Sequence, residues 1–262
     1  MTPALLDGPY PRLEKGDGEP IILLHGIFGS PLNWLYPTQV LSATHRVIVP
    51  DLPLFTAALK DCCVDGLTGY VLGYMDWAGI RSAVFVGNSL GGHLSLELAT
   101  RHPERVRALV LAGSSGLFER GYETGIPTNP SREWLRERIG TGIFYDTSIV
   151  TDEMVDEVVG LLSDRTNKFR LLKLAQSAKR GHMGERLHLV RVPTLLVWGR
   201  QDQTTPPEVA REFQASIPGS DLVLIDKCGH APMLEQPAGF TRAVRRFLDR
   251  LPSPLSAGAP AA

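Results

Sequence analysis

Five residues, Gly87-Asn88-Ser89-Leu90-Gly91, constrain this chain more than any others. An apolar run, Ala83-Val84-Phe85-Val86, precedes them, and a helix-like stretch from Leu90 to Arg101 follows. The pattern reads as a strand that turns sharply into a helix, with serine at the apex. Such a serine takes a strained backbone conformation that lifts its hydroxyl clear of a sheet. Side chains at 87 and 91 would then collide with the neighbouring strand and helix, so both positions call for glycine. This is the nucleophile-elbow pattern, and the strand before and helix after are what make it specific.

Around the elbow the chain alternates short apolar runs with helical stretches. Ile21 to Leu24, Arg46 to Val49, Val106 to Leu111, Thr194 to Trp198 and Leu222 to Ile225 read as buried strands. Helices are expected from Ser30-Pro31 to about Ser42, over Val64–Ala78, from Pro206-Pro207 to about Ser216, and over Pro237–Leu251. Strand-helix alternation predicts an α/β fold with a mostly parallel sheet flanked by helices. The stretch from Gly116 to Leu189 breaks the rhythm and reads as helices alone. Ser131, Thr151 and Ser163 are its expected helix starts, and Lys179-Arg180-Gly181 its expected stop. Phe169, Leu172 and Ala175 fall on one stripe of the third helix. The expected organisation is a sheet core in residues 1–115 and 190–251, an inserted helical cap in 116–189, and a disordered Pro/Ala/Ser/Gly tail in 252–262.

The chain is long enough, at 262 residues and 43% apolar, for one large domain with such an insertion. A net charge of -1 supplies neither a basic face for nucleic acid nor a polybasic membrane patch. No stretch approaches a membrane span, and Met1 to Glu19 has no apolar signal core. Cys62, Cys63 and Cys228 form no paired framework, which points to a reduced, cytoplasmic setting. No His, Cys or carboxylate cluster has metal-ligand spacing, and no cofactor is expected. A monomer or homodimer acting on a small molecule is the expected state.

Serine alone is a weak nucleophile and needs a base, itself oriented by an acid. Open α/β sheets place such groups in loops just past strand ends. Asp202 follows the strand ending at Trp198, and His230 follows the strand ending at Ile225, so the order is Ser, Asp, His. Asp226, or an acid near Ser114, is the competing orienting acid.

With these residues in place, the chain resembles serine hydrolases of the α/β-hydrolase fold that carry a helical cap. The resemblance rests on His25-Gly26, Asp51-Leu52-Pro53, Gly87 to Gly92, Gly199-x-x-Asp202 and Gly229-His230-Ala231-Pro232. It implies Ser89 as nucleophile, His230 as base and Asp202 as orienting acid. The oxyanion of acyl transfer needs two N–H donors. The elbow offers that of Leu90, and the loop after His25-Gly26 offers Ile27, with Phe28 as the alternative. Serine at 89 sets the chain apart from the dehalogenase and epoxide hydrolase branches, which use aspartate there. Gly-Asn-Ser-Leu-Gly-Gly is similar to hydrolases of aromatic ring-fission products. Those usually carry tryptophan after the histidine and a glycine-rich oxyanion loop, where this chain has Ala231 and Ile27-Phe28. Gly-His-Ala-Pro looks more like small carboxylesterases. The expected activity is therefore hydrolysis of small to medium carboxylic esters, the alternative is hydrolysis of a carbon-carbon bond beside a ketone, and a ligand receptor that retains the triad is the reading from another class. Phe28, Trp134, Phe144, Tyr145 and Phe169 are the candidate walls of an apolar pocket, with packing inside the cap as their other reading.

Overall fold

The computed structural model describes residues 5–118, 127 and 130–252. The expected tail from 253 onward, and 119–126 and 128–129 of the expected cap, lie outside the described residues. The described strands are β1 (Arg12–Lys15), β2 (Glu19–Leu24), β3 (His45–Pro50), β4 (Ala83–Asn88), β5 (Val106–Ala112), β6 (Thr194–Gly199) and β7 (Asp221–Ile225). They form one sheet in the order β1-β3-β2-β4-β5-β6-β7, parallel except for β1, which runs antiparallel along β3. Four residues long and only partly apolar, β1 escapes a search for apolar runs; its pairing to Val47–Pro50 defines it instead.

The helices are α1 (Leu35–Leu41), α2 (Val64–Trp77), α3 (Leu90–Arg101), α4 (Arg132–Ile143), α5 (Asp152–Ser163), α6 (Arg165–Arg180), α7 (Pro207–Ser216), α8 (Pro232–Glu235) and α9 (Pro237–Leu248). Two apolar clusters lie on the two faces of the sheet. Ile22, Leu24, Phe85, Leu109 and Trp198 pack on one side with α2, α3 and α7. Ile21, Leu23, Val84, Val86 and Val110 pack on the other, with Trp34 and α9. The alternation of strand residues between the clusters is the period-two geometry of a strand buried on both faces. All six residues of β4 are buried, and so are those of β6. The elbow therefore hangs from the centre of the sheet.

Between β5 and β6 the described residues form α4, α5 and α6. Ser131 and Thr151 cap α4 and α5 as expected, accepting hydrogen bonds from Trp134 N and Met154 N. The third cap differs. Ser163 ends α5, its hydroxyl donating back to Val159 O, while Asp164 caps α6 by accepting from Thr166 N at 2.6 Å and Asn167 N at 3.4 Å. A carboxylate at a helix N-terminus satisfies two orphan donors and opposes the positive end of the dipole, which a hydroxyl does less well. The expected stripe is also turned outward. Phe169 and Leu172 are each 55% exposed, and α6 buries Leu174 instead. No helix among the described residues is long and apolar enough to cross a membrane.

Candidate active site

The elbow is strained in the way its sequence demands. Ser89 has φ 52° and ψ -117°, at the N-terminal end of α3. A methyl group at Gly87 would overlap the Gly91 carbonyl, and one at Gly91 would overlap the Leu24 carbonyl. The Ser89 backbone is pinned on both sides: its N–H donates to Ala112 O at 3.1 Å, and its carbonyl accepts from Gly92, His93 and Ser115 N–H. Its hydroxyl makes no cap bond to the helix it precedes. Serine is a favoured helix cap, so a serine excused from capping has its hydroxyl available for other work.

His230 and Asp202 are brought together as the sequence order implies. His230 Nδ1 lies 2.9 Å from Asp202 Oδ2, and both residues are buried. The carboxylate is fully engaged. Oδ1 accepts from Thr204 N and Thr205 N, each at 2.9 Å, and Oδ2 accepts from Thr205 Oγ1 at 2.9 Å. Thr205 is itself held by Trp198, whose Nε1 donates to the Thr205 carbonyl at 2.8 Å. The competing acid Asp226 is exposed and paired with Arg200 at 2.5 Å. Buried Cys228 has its thiol pKa pushed well up, first by burial and then by the Glu235 and Asp202 carboxylates, so it is held as an inert thiol.

Asn88 joins the two halves. Its Nδ2 donates to Ala112 O and to His230 O, each at 2.9 Å, so the residue before the serine holds the backbone of the histidine. Gly113 closes the gap, since a methyl group there would sit 3.0 Å from His230 Nδ1 and 3.1 Å from Asp202 Oδ2. On the other side, a methyl group at Gly26 would lie 3.1 Å from Ser89 Cβ, which sets the loop carrying Ile27 and Phe28 beside the serine. Three non-glycine residues among those described have positive φ: Phe28 (60°), Ser89 (52°) and Lys227 (52°). All three lie in the loops that meet here. Strain of this kind costs on the order of 1–3 kcal/mol per residue and persists where the surroundings enforce it.

His25 holds the Phe28 loop. Its Nε2 accepts from Leu52 N at 3.1 Å, so Nδ1 carries the proton and donates to Gly26 O at 2.9 Å. Full burial holds its pKa down at about 4, against an ordinary 6.5, offset in part by the Gly26 bond. The folded state therefore refuses a proton that the unfolded chain takes up from about pH 6.5. The unfolded state binds more protons between about pH 6.5 and 4, so stability falls as pH drops through that window, by up to about 3 kcal/mol from this residue. Urea denaturation at pH 7.5 and pH 4.5 checks this: His25→Gln is expected to lose clearly less stability between the two than wild type. Equal losses would remove His25 from the acid response.

The expected pocket residues are dispersed. Phe28 is half-buried and stacks on Phe55, centroids 6.1 Å apart. Phe55 belongs to the segment after Asp51-Leu52-Pro53, so this stretch backs the loop beside the serine. Trp134 and Phe144 pack into the cluster under α9, Phe144 being only 6% exposed. Tyr145 is 49% exposed. Phe169 lines a separate groove with Cys63, Glu97, Arg101 and Arg180. Phe144 thus sits in a packing role and Phe169 on the surface, the latter because the turn of α6 puts its buried face at Leu174. The sequence pattern does not single out Thr204, Thr205 or the bridging part played by Asn88. The two threonines do carry a signal, since Asp followed by residues whose N–H groups fold back on its carboxylate is a common turn signature.

A sheet of this topology, with a serine elbow after a central strand and an Asp–His pair after two later strands, defines a hydrolase. The chain matches the model of the alpha/beta hydrolase family over residues 21–243, and it belongs to that family. It is 30% identical to a 2-hydroxy-6-oxononadienedioate/2-hydroxy-6-oxononatrienedioate hydrolase of Burkholderia vietnamiensis, over 93% of each chain. It is also 30% identical to a 2-hydroxymuconate semialdehyde hydrolase of Pseudomonas putida, covering 90% of this chain and 89% of the relative. Among solved structures, an alpha/beta hydrolase from a lagoon-sediment metagenome superimposes with a TM-score of 0.78 at 34% identity, over 94% of this chain and 98% of that one. A meta-cleavage product hydrolase from Pseudomonas fluorescens IP01 superimposes with a TM-score of 0.79 at 27% identity, over 92% and 94%.

Proposed function

We propose that this chain is a serine-dependent, cofactor-free hydrolase that cleaves the carbon-carbon bond beside a ketone in a ring-fission product of the 2-hydroxy-6-oxodienoate class. The observation that carries the serine mechanism is Ser89 itself, strained, free of capping duty and beside the Gly26 loop, with Asn88 binding the backbone of a histidine paired to a buried aspartate. In this reading Ser89 Oγ attacks the ketone carbon and His230 takes its proton. Asp202 holds the imidazole in the tautomer that allows this. The N–H groups of Leu90 and Ile27 receive the oxyanion. Tautomerisation of the dienol to its 2-keto form, the 2-hydroxyl losing a proton as C5 gains one, precedes the attack. The leaving carbon therefore departs as a dienolate stabilised by the 2-keto group and takes a proton, and water then releases the acyl group as a carboxylic acid. Residues 116–189, with α4 to α6, serve as the cap.

Carbon-carbon cleavage is preferred to ester hydrolysis because two relatives at 30% identity over most of the chain are named for substrates of this kind. Ester hydrolysis is the second reading. One structural observation favours it: the loop that brings Gly26 against Ser89 carries Phe28, which stacks on Phe55, and an aromatic pair suits an uncharged acyl group. The two are separated by comparing kcat/KM for 2-hydroxy-6-oxo-6-phenylhexa-2,4-dienoate and for p-nitrophenyl butyrate. The dienoate is expected to lead by about 100-fold or more. The reverse order would replace the carbon-carbon reading with the ester one. No turnover of either, with a large thermal shift on binding, would support the receptor reading.

A further inference from the structure

We infer that Glu235 is a positioning residue for His230, tying the histidine loop to the end of α4; the inference rests on the triad proposed above. Glu235 is the last residue of α8, five positions after His230. Its carboxylate receives three backbone donors from two different places. Oε2 accepts from Gly229 N, directly before the histidine, at 2.5 Å. Oε1 accepts from Tyr145 N at 2.7 Å and Asp146 N at 3.1 Å, just past α4. The same two segments meet again through His230 N, which donates to Ile143 O at 2.6 Å. They meet so closely that a side chain at Gly229 would lie 2.5 Å from the Ile143 carbonyl. Thr204 Oγ1, from the loop of the orienting acid, donates to Gly142 O at 2.8 Å. Residues 142–146 are therefore the surface on which the acid loop and the histidine loop both rest.

The need for such a tie is visible in the loop itself. It leaves β7, the strand at the edge of the sheet, and passes through Lys227 at φ 52° before reaching the histidine. Gln236 Nε2 holds the Lys227 carbonyl at 3.0 Å, so consecutive side chains from the end of α8 grip the strained turn. Asn88 and Gln201 hold the loop from the side of the sheet, through His230 O and through Cys228 N and O, and the tie on the other side is an acceptor that reaches the histidine loop with one oxygen and the end of α4 with the other. A carboxylate meets that demand, because both of its oxygens accept. Glutamine has one accepting oxygen, and its NH2 group would face a backbone N–H on whichever side it is placed. Aspartate keeps the charge but is one methylene too short to reach both segments.

The test uses the full chain with p-nitrophenyl butyrate as the probe, and Glu235→Gln, Glu235→Asp, His230→Ala and the double variant E235Q/H230A. Glu235→Gln is expected to lower kcat by about 10- to 100-fold with KM within about threefold of wild type, as for an ångström-scale misplacement of a catalytic group. Glu235→Asp is expected to fall alongside it, and it carries the test alone if the glutamine variant does not fold. In the His230→Ala background, Glu235→Gln is expected to change the single-turnover rate by less than about twofold, because its effect passes through the histidine. Full kcat in Glu235→Asp, or effects that multiply in the double variant, would overturn the positioning role while leaving the triad intact. A His230→Ala variant as fast as wild type would overturn the triad reading, and the role of Glu235 with it.

Discussion

Ser89→Ala is expected to lower kcat by on the order of 10⁴ or more toward whichever substrate wild type turns over, and to leave the fold untouched. Loss of the only attacking oxygen removes the covalent route, and what survives is binding and oxyanion stabilisation. The stability half of the expectation follows from geometry. Ser89 carries its backbone strain at φ 52°, and alanine in the same place bears the same strain. The hydroxyl caps no helix, and the elbow is held by main-chain bonds to Ala112, Gly92, His93 and Ser115, which the substitution leaves in place. A thermal melt within a few degrees of wild type is expected beside the lost rate, since surface-facing changes without a broken bond rarely exceed about 0.5 kcal/mol. A variant that turns over as fast as wild type would place the chemistry elsewhere in the molecule.

How far each of these features can be read from the amino-acid sequence depends on how local its constraint is. The elbow is local: glycine at 87 and 91 answers clashes within a few residues and against one strand, so the pattern announces itself. Asp202 and His230 are nearly as plain, because parallel sheets put loops of one kind at one edge and both residues stand in such loops. The face of α6 is not legible. Phe169, Leu172 and Ala175 make a proper helical stripe, yet the helix turns Leu174 inward, and spacing alone does not say which of two apolar faces meets a neighbour. The cap at Asp164 is hidden for a related reason, since Ser163 and Asp164 are both good caps and only the end of α5 decides between them. Glu235 leaves no trace, as its three donors come from segments 6 to 90 residues away along the chain. The ester expectation leans on Ala231-Pro232, a short local run, whereas the Burkholderia and Pseudomonas relatives share similarity along nearly the whole chain and are named as hydrolases of 2-hydroxy-6-oxononadienedioate and 2-hydroxymuconate semialdehyde.

Asp202→Asn is expected to cost about 10⁴ in kcat even though asparagine has almost the same shape. The direction of the amide is forced. Oδ1 of Asp202 receives two backbone N–H groups, from Thr204 and Thr205, and these can only donate. Asparagine must therefore turn its carbonyl oxygen toward them, which puts its NH2 group where Oδ2 now faces His230 Nδ1. The Thr205 hydroxyl can rotate and accept from that NH2, so nothing opposes the arrangement. His230 Nδ1 then has to accept, and the ring proton moves to Nε2. An imidazole protonated at Nε2 has no lone pair to offer Ser89, and the base is lost with every atom still in place. The variant should fold and melt within a few degrees of wild type while hydrolysing p-nitrophenyl butyrate about 10⁴-fold more slowly, with partial recovery at high pH where hydroxide substitutes for the missing base. A rate near that of wild type would mean that the tautomer of His230 is set by some other contact, and the buried Asp202 would then be an anchor for the loop of Thr204 and Thr205 rather than a partner in the reaction.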